Sequence, residues 1–261
     1  MVMKLFVSDI DGTLMDSRKQ IRDEDVRAIR EANQMGVAIC LASGRMYEEI
    51  RLVMDELEVP CYAICQNGAA IIGLDGGIIQ SNDYHADLAL SVREAVRHPE
   101  LVTVICSADG NYVSELTPEA ERVGKRFLTP LRERREVMSD IAQGMPVTKF
   151  SIYGTVPLLQ SMLDQLQDQY GDRITASFSD PDGIDVMPGG VDKGTGVELL
   201  MRLLGIQGEE AVCIGDSFND LAMFRACSRS VAMSHAPDAI RIAATHKADT
   251  VGQAIIEFLG K

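Results

Sequence analysis

Acidic side chains follow two apolar segments of this chain, close to where each segment ends. Asp9 and Asp11, separated by Ile10, come after Leu5–Val7, and Asp216 follows the segment 211–215. Converging carboxylates repel one another unless a cation lies between them, and Mg²⁺ prefers such oxygen ligands. A carboxylate held ionised beside Mg²⁺ can attack phosphorus, and a second carboxyl can protonate the leaving alkoxide and later deprotonate water. These residues therefore indicate a magnesium site suited to phosphoryl transfer.

Hydroxyl, amide and ammonium groups accompany these carboxylates in the sequence. Ser43 and Gly44 end a second apolar segment, Lys193 stands at the entrance of a helix, and Asn219 comes three residues after Asp216. A lysine can neutralise charge on a transferring phosphoryl group, and glycine lets backbone N–H groups approach an anion closely. Each motif alone also fits a turn, a helix cap or a surface lysine. Their occurrence together, each at the start or end of a predicted element, favours a functional site.

The first third of the chain alternates apolar strands with amphipathic helices. Strands are predicted at 4–10, 37–42 and 61–65. The first helix is predicted from an N-cap at Asp23 to a stop at Gly36, and a second helix closes at Pro60. This alternation predicts a parallel sheet covered on both faces. Open sheets of this class bind ligands outside the carboxyl ends of their strands, so the motifs are expected to meet at one edge.

The pattern changes near residue 70, where a hairpin is predicted to turn at Asp75-Gly76. Residues 83–187 follow with helices at 86–97, 118–142 and 158–170 and strands at 102–107, 112–114, 147–153, 173–178 and 184–187. From Lys193 the alternation of strand and helix resumes. The prediction is therefore a doubly wound, Rossmann-like parallel-sheet core of the α/β class, formed by 1–82 and 188–261, with an inserted α+β module at 83–187.

The overall charge excludes some classes of partner. The 261 residues include 25 Lys and Arg against 39 Asp and Glu, a net charge of −14, which disfavours nucleic acids and anionic membranes. No apolar segment approaches the roughly 18 residues of a membrane helix, and the start of the chain resembles no signal peptide. The six cysteines mostly occupy apolar segments, as expected for buried thiols. We therefore expect a cytoplasmic protein with a small-molecule partner, monomeric or a small homo-oligomer.

The four motifs, in this order, resemble those of the haloacid dehalogenase-like superfamily, and specifically its Cof-type phosphatase branch with a large inserted cap. The resemblance covers essentially the whole chain. It implies that Asp9 is the phosphorylated nucleophile, and that Asp11 is the general acid and base, with a backbone carbonyl that ligates Mg²⁺. It also implies that Asp216 is a metal ligand and that Asp220 orients the site. The phosphate-binding groups it implies are the amides of Ile10 and Gly44 and the side chains of Ser43, Lys193 and Asn219.

The expected activity is hydrolysis of small phosphorylated metabolites, such as sugar phosphates, through an aspartyl-phosphate. In this family the inserted cap sets substrate choice, and Arg45 is a candidate substrate contact. A phosphosugar mutase with the same nucleophile and a phosphometabolite-binding regulator stay open as alternatives. A dehalogenase would need neither Asp11 nor Mg²⁺. A P-loop kinase is disfavoured because Asp192 stands before Lys193, where the phosphate-binding loop requires glycine.

Overall fold

The computed structural model describes residues 2–107 and 110–259. The chain divides into two compact units, which we call the core unit and the inserted unit. The core unit comprises the residues up to Gln80 and those from Asp192 onwards, and the inserted unit is Ser81–Val191. The sequence predicts nearly the same boundaries for the inserted module, residues 83–187.

Strands and helices alternate along much of the described chain. The strands, in order, are β1 (Leu5–Ser8), β2 (Ala38–Ala42), β3 (Cys61–Cys65), β4 (Ala70–Ile72), β5 (Ile78–Ser81), β6 (Val102–Ser107), β7 (Gly110–Val113), β8 (Arg132–Glu133), β9 (Lys149–Tyr153), β10 (Ile174–Asp180), β11 (Gly183–Pro188), β12 (Ala211–Gly215), β13 (Arg229–Met233) and β14 (His246–Ala248). The helices are α1 (Asp23–Gln34), α2 (Tyr47–Leu57), α3 (Ala86–Ala95), α4 (Pro118–Gly124), α5 (Val137–Ala142), α6 (Val156–Tyr170), α7 (Lys193–Leu204), α8 (Leu221–Ala226), α9 (Asp238–Ala243) and α10 (Val251–Leu259).

The core unit is built on one sheet with the strand order β14-β13-β12-β1-β2-β3-β4-β5. The pairs from β14 to β3 are parallel, and β4 runs antiparallel to β3. β1 is a central strand, with Leu5 opposite Ala38 on one side and Ala211 on the other. Its four residues are fully buried, as expected for a parallel strand covered on both faces. The predicted doubly wound core is confirmed.

The predicted hairpin is present between β4 and β5, which are neighbours in the sheet. The backbone N–H of Gly77 donates to Asp75 Oδ1 at 2.9 Å, and Gly73 N donates to Gly77 O at 2.8 Å.

The first helix starts one position from its predicted boundary. Arg22 occupies the N-cap position, and Asp23 is the first helical residue, where its charge favours the positive end of the helix dipole.

The inserted unit contains a second sheet with the order β10-β11-β9-β6-β7-β8, antiparallel except for the β7–β8 pair. Apolar side chains of α3, α5 and α6 form its main hydrophobic cluster with Ile105, Phe150 and Ile184 of the sheet. A smaller cluster joins α4 to Val104 and Cys106, which alternate with Ile105 along β6. This unit therefore has a hydrophobic core of its own. Among the described residues, no helix has the length and apolar character needed to cross a membrane.

The helical stretch predicted at 118–142 is wrong in its middle. The structure has α4 and α5 at its two ends, with the short strand β8 between them, pairing in parallel with β7. Pro130 accounts for the break, because proline cannot continue a helix and disfavours helical geometry at the preceding residue, Thr129.

A buried carboxyl between α1 and α10 makes stability depend on pH. Burial raises the pKa of Asp25, although the N–H of Gly252 donates to its Oδ1 at 2.6 Å and opposes this. The favourable contribution of a carboxyl with a raised folded-state pKa is complete below its unfolded pKa of about 4 and is lost as pH rises. We therefore expect the free energy of unfolding of Asp25→Asn, taken relative to that of wild type, to be higher at pH 7 than at pH 4. Urea unfolding at several pH values measures this difference. A difference independent of pH would contradict it.

Candidate active site

The two acidic motifs lie at the carboxyl ends of adjacent strands. Asp9 follows β1 directly, and its backbone N–H donates to Ile214 O of β12 at 3.0 Å. Asp216 follows β12, which pairs with β1 in parallel through Ser8 and Ile214. Parallel pairing brings both ends to one edge of the sheet. The structure therefore brings Asp9 and Asp216 together, as the sequence predicted.

Three carboxylates form a compact cluster at this edge. Asp9, Asp216 and Asp220 each offer an oxygen, and these oxygens all lie within 4.8 Å of one another. Thr13 Oγ1 donates to Asp216 Oδ1 at 3.0 Å. Gly12 has φ +78°, and a Cβ there would lie 2.4 Å from Asp216 Oδ2. The turn after β1 therefore approaches Asp216 closely, and a side chain at position 12 would displace this carboxylate.

Lys193 connects two members of this cluster. Its Nζ donates to Asp9 Oδ1 and to Asp220 Oδ1, both at 2.6 Å, and its side chain is 1% exposed. Lys193 is the first residue of α7, which Asp192 caps by accepting from Thr195 N at 2.8 Å. Burial lowers the pKa of Lys193, but Asp220 and Asp9 outweigh burial and raise it. Lys193 is therefore a charged ammonium fixed against the nucleophile candidate.

Asp220 has both carboxylate oxygens engaged. While Oδ1 accepts from Lys193, Oδ2 accepts from the backbone N–H groups of Asp216 and Ser217, both at 2.9 Å. Asp220 thereby holds the lysine and the loop that carries Asp216. This geometry suits the supporting role that the resemblance implies for it.

The cluster contains three carboxyl groups and the ammonium of Lys193. Burial raises the pKa of Asp9 well above its usual value, with further increases from Asp220, Asp216 and Asp11 and an opposing effect of Lys193. Burial, followed by Asp220, raises the pKa of Asp216 to about 6. One ammonium among three carboxylates leaves room for more positive charge. The oxygen donors and the unbalanced charge together fit a hard divalent cation such as Mg²⁺.

The polar groups predicted to bind phosphate lie at the ends of neighbouring elements. Ser43 follows β2 and is buried, and its Oγ accepts from Arg45 N at 3.2 Å. Asn219 donates through Nδ2 to Asn67 Oδ1 at 3.2 Å and accepts from Ser217 Oγ at 2.6 Å. Phosphate contacts of Ser43 and Asn219, and of the amides of Ile10 and Gly44, stay predictions.

Arg45 forms an ion pair with Asp11, the residue proposed to act as both general acid and general base. Its Nε and Nη2 donate to the two oxygens of Asp11 at 2.7 and 2.6 Å, which is a bidentate ion pair. Arg45 is 9% exposed and Asp11 51%, and Glu49 lies on the other side of the guanidinium at 3.9 Å. The carboxylate of Asp11 thus has a fixed direction. The side chain of Asp11 is not part of the carboxylate cluster, and the expected ligation of a metal by its backbone carbonyl stays a prediction.

A sequence model of the haloacid dehalogenase-like hydrolases matches residues 6–259. This chain belongs to that family. It is 26% identical over 265 residues to an HMP-PP phosphatase of Klebsiella pneumoniae (strain 342), covering 98% of this chain and 94% of that protein. It is 24% identical over 273 residues to a pyridoxal phosphate phosphatase of Escherichia coli (strain K12), covering 99% of this chain and 100% of that protein.

Solved structures agree with this family assignment. A haloacid dehalogenase-like hydrolase from Bacteroides thetaiotaomicron matches with a TM-score of 0.84 at 26% identity, covering 98% of this chain and 99% of that one. The family, the fold class and the phosphatase class predicted from the four motifs are confirmed.

One segment of this hydrolase's site was not singled out in the sequence. Gln66 and Asn67, directly after β3, both have positive φ, at 49° and 55°, and are buried. At Gly68, φ is +100°, and a Cβ would lie 2.2 Å from Asp192 O. The Asn-Gly pair is a turn signal, but the bond from Asn219 to Asn67 spans 152 positions and has no local signature. Asn67 thereby joins the turn after β3 to the loop after β12.

Proposed function

We propose that this protein is a Mg²⁺-dependent phosphomonoesterase that hydrolyses small phosphorylated metabolites through a phosphoenzyme at Asp9. The observation that carries the proposal is the buried bond between Lys193 and Asp9, made within a cluster of three carboxylates. The relatives described above are phosphatases of HMP-PP and of pyridoxal phosphate. These names support a small phosphorylated metabolite, for which sugar phosphates are further candidates.

The residues that would hold Mg²⁺ are Asp9, Asp216 and the backbone carbonyl of Asp11. When bound, the ion supplies positive charge that stabilises the oxygens of the transferring phosphoryl group. Asp220 is assigned a supporting role because both of its oxygens already accept hydrogen bonds. Lys193 orients Asp9 and adds a second positive charge beside it.

Hydrolysis then takes two steps. A carboxylate oxygen of Asp9 attacks phosphorus, the bond from phosphorus to the ester oxygen breaks, and Asp11 donates a proton to the leaving alkoxide. In the second step Asp11 takes a proton from water, and the water oxygen attacks phosphorus. The bond between phosphorus and the Asp9 oxygen breaks, which releases phosphate and restores the Asp9 carboxylate. The amides of Ile10 and Gly44 and the side chains of Ser43, Lys193 and Asn219 bind the phosphoryl oxygens throughout.

The module predicted at 83–187 is assigned to substrate selection. What supports this assignment is the presence of a separate compact unit with its own hydrophobic core at that position in the chain. A cytoplasmic location is supported by the six cysteines, all of which are buried free thiols. A state as monomer or small homo-oligomer stays a prediction.

The experiment that tests the function is a screen of phosphorylated sugars, nucleotides, pyridoxal phosphate and flavin mononucleotide. Phosphate release is measured and substrates are ranked by kcat/KM. A phosphosugar mutase would convert a sugar phosphate to its isomer with little phosphate released, and a regulator would bind a compound without turnover. Either result would replace the proposed hydrolysis.

Removal of divalent cations is expected to abolish phosphate release, because Asp9 and Asp216 then lack the charge that balances them. Adding Mg²⁺ should restore activity, whereas Ca²⁺ should restore it poorly, since its larger and more variable shell would misplace the reacting groups. Activity is measured after dialysis against chelator, then with each ion added in excess. Full activity in excess chelator would contradict the site.

Replacement of Arg45 distinguishes its bond to Asp11 from the predicted contact with substrate. Arg45→Met should lower kcat for alkyl phosphates by about 10²-fold or more, because proton transfer by Asp11 is worth 10²–10⁴-fold. The loss should be much smaller for p-nitrophenyl phosphate, whose leaving group needs little protonation. Arg30→Met, at a half-buried arginine paired with Glu58, is the matched control. An equal rise in KM for both substrates would instead support a substrate contact.

A further inference from the structure

A cavity of about 140 Å³ lies in the inserted unit, beside the C-terminal end of α3 and strands β6 and β7. None of its lining residues belongs to the candidate active site. Its polar lining combines basic and hydroxyl side chains with one carboxylate: Arg93, Arg97, His98, Thr103, Ser114, Thr117 and Glu115. Every residue of its lining belongs to the inserted unit, and the proposed reaction gives none of them a role.

Arg93 is the residue of this cavity with an unused hydrogen-bond donor. Its Nη2 donates to Ser114 Oγ at 3.1 Å, whereas its Nε is buried and has no hydrogen-bond partner in the described part of the chain. No ion pair of Arg93 is found among the described residues, although the chain carries 39 acidic side chains. Burial, followed by the neighbouring Arg97, lowers the pKa of Arg93. Arg93 as a whole is half-buried, but its buried Nε–H lacks an acceptor, which an anion entering the cavity would supply.

Hydroxyl and ring N–H donors line the same cavity as Arg93. Ser114 Oγ accepts from Arg93, and Thr117 Oγ1 accepts from Ala120 N at 3.1 Å, which leaves both hydroxyl protons available to donate. His98 Nδ1 accepts from Glu100 N at 3.2 Å, so Nε2 carries a proton and can donate. The cavity therefore offers several N–H and O–H donors.

Two glutamates limit the positive charge without cancelling that of Arg93. Glu115 is exposed and also lines the cavity. Glu94 lies 3.6 Å from Arg97, and both of these side chains are largely exposed. Exposed pairs of this kind interact weakly, so both arginines can still contribute to binding an anion.

We propose that this cavity is a second ligand site, which binds an oxyanion group, phosphate or carboxylate, of a small metabolite. Arginine presents its N–H groups in a planar fork that matches two oxygens of such a group. Binding would give Arg93 Nε an acceptor and the half-buried guanidinium a counter-charge. The site does not depend on hydrolysis at Asp9.

The test observes the Nε–H resonance of Arg93 in the full-length ¹⁵N-labelled protein. The resonance is assigned by its loss in Arg93→Lys, and that of Arg45 is assigned in the same way to report on the active site. Inorganic phosphate and succinate are titrated separately at constant ionic strength, without Mg²⁺. We expect a saturable shift of the Arg93 signal with at least one of them. Arg97→Gln should weaken that binding by about fivefold or more, and Arg30→Gln should leave it unchanged.

The outcomes separate this proposal from the proposed function. Saturation by phosphate or by succinate supports the site and identifies its preferred oxyanion. A shift that grows linearly without saturating, or one that Arg97→Gln leaves unchanged, overturns it. Arg93→Gln should retain kcat/KM for p-nitrophenyl phosphate within about twofold. If the protein releases no phosphate from any substrate while the Arg93 signal saturates, the phosphatase proposal fails and the second site stands.

Discussion

Asp9→Asn is expected to lower kcat for phosphate release by about 10⁴-fold or more, because it removes the nucleophilic oxygen while keeping the shape of the side chain. Burial and the neighbouring carboxylates disfavour the charged form of Asp9, so neutralising this position should not unfold the protein. Initial rates with p-nitrophenyl phosphate and with the best metabolite substrate measure the loss.

Asp16→Asn is the matched control for this substitution. Asp16 is exposed, and its Oδ1 accepts from the backbone N–H groups of Arg18 and Gln20 in the loop that follows the first motif. The same chemical change there should leave kcat within about twofold of wild type. Asp9→Asn with wild-type activity would contradict covalent catalysis at this residue.

Lys193→Met is expected to destabilise the protein by about 3–5 kcal/mol, because it leaves the buried carboxylates of Asp9 and Asp220 without their ammonium partner. The loss in the free energy of unfolding should shrink as pH falls, since protonation of the two carboxylates removes the unpaired charge. Urea unfolding without Mg²⁺ at pH 7 and at lower pH measures both effects.

Two further variants make the lysine experiment specific. Lys4→Met breaks the bond to Glu210, in which the lysine is 55% exposed, and should cost about 1 kcal/mol or less. Adding Asp220→Asn to Lys193→Met should recover part of the lost stability. A loss for Lys193→Met no larger than that for Lys4→Met would contradict the tight pairing of Lys193 with the cluster.

The central strands and the position of the site follow from local features of the sequence. Leu5–Ser8 is a short apolar segment followed directly by Asp9, and a parallel sheet must place that residue at its carboxyl edge. Asp216 after β12 follows the same rule. The order of the strands has no such local signature, because pairing of β1 with β12 depends on contacts more than 200 positions apart.

Specific side-chain partners were harder to predict than the elements that carry them. The sequence makes Arg45 a candidate substrate contact, which stays a prediction. Its bidentate bond to Asp11 could not be predicted in this way, because it depends on the turns that follow β1 and β2. The bond between Asn67 and Asn219 likewise requires the left-handed turn at Gln66 and Asn67. In each case the hydrogen-bond partner is decided by tertiary packing, which the spacing of residues in the sequence does not predict.

Covalent catalysis at Asp9 is tested by the intact mass of Asp11→Asn after rapid acid quench during turnover of p-nitrophenyl phosphate with Mg²⁺. This leaving group needs little protonation, so Asp9 should still be phosphorylated, while hydrolysis of the intermediate lacks its base. We expect one added phosphoryl group, mapped to the peptide that contains Asp9 and absent when Asp9→Asn is added. A phosphoryl group on Ser43, or one that persists without the Asp9 carboxylate, would contradict it.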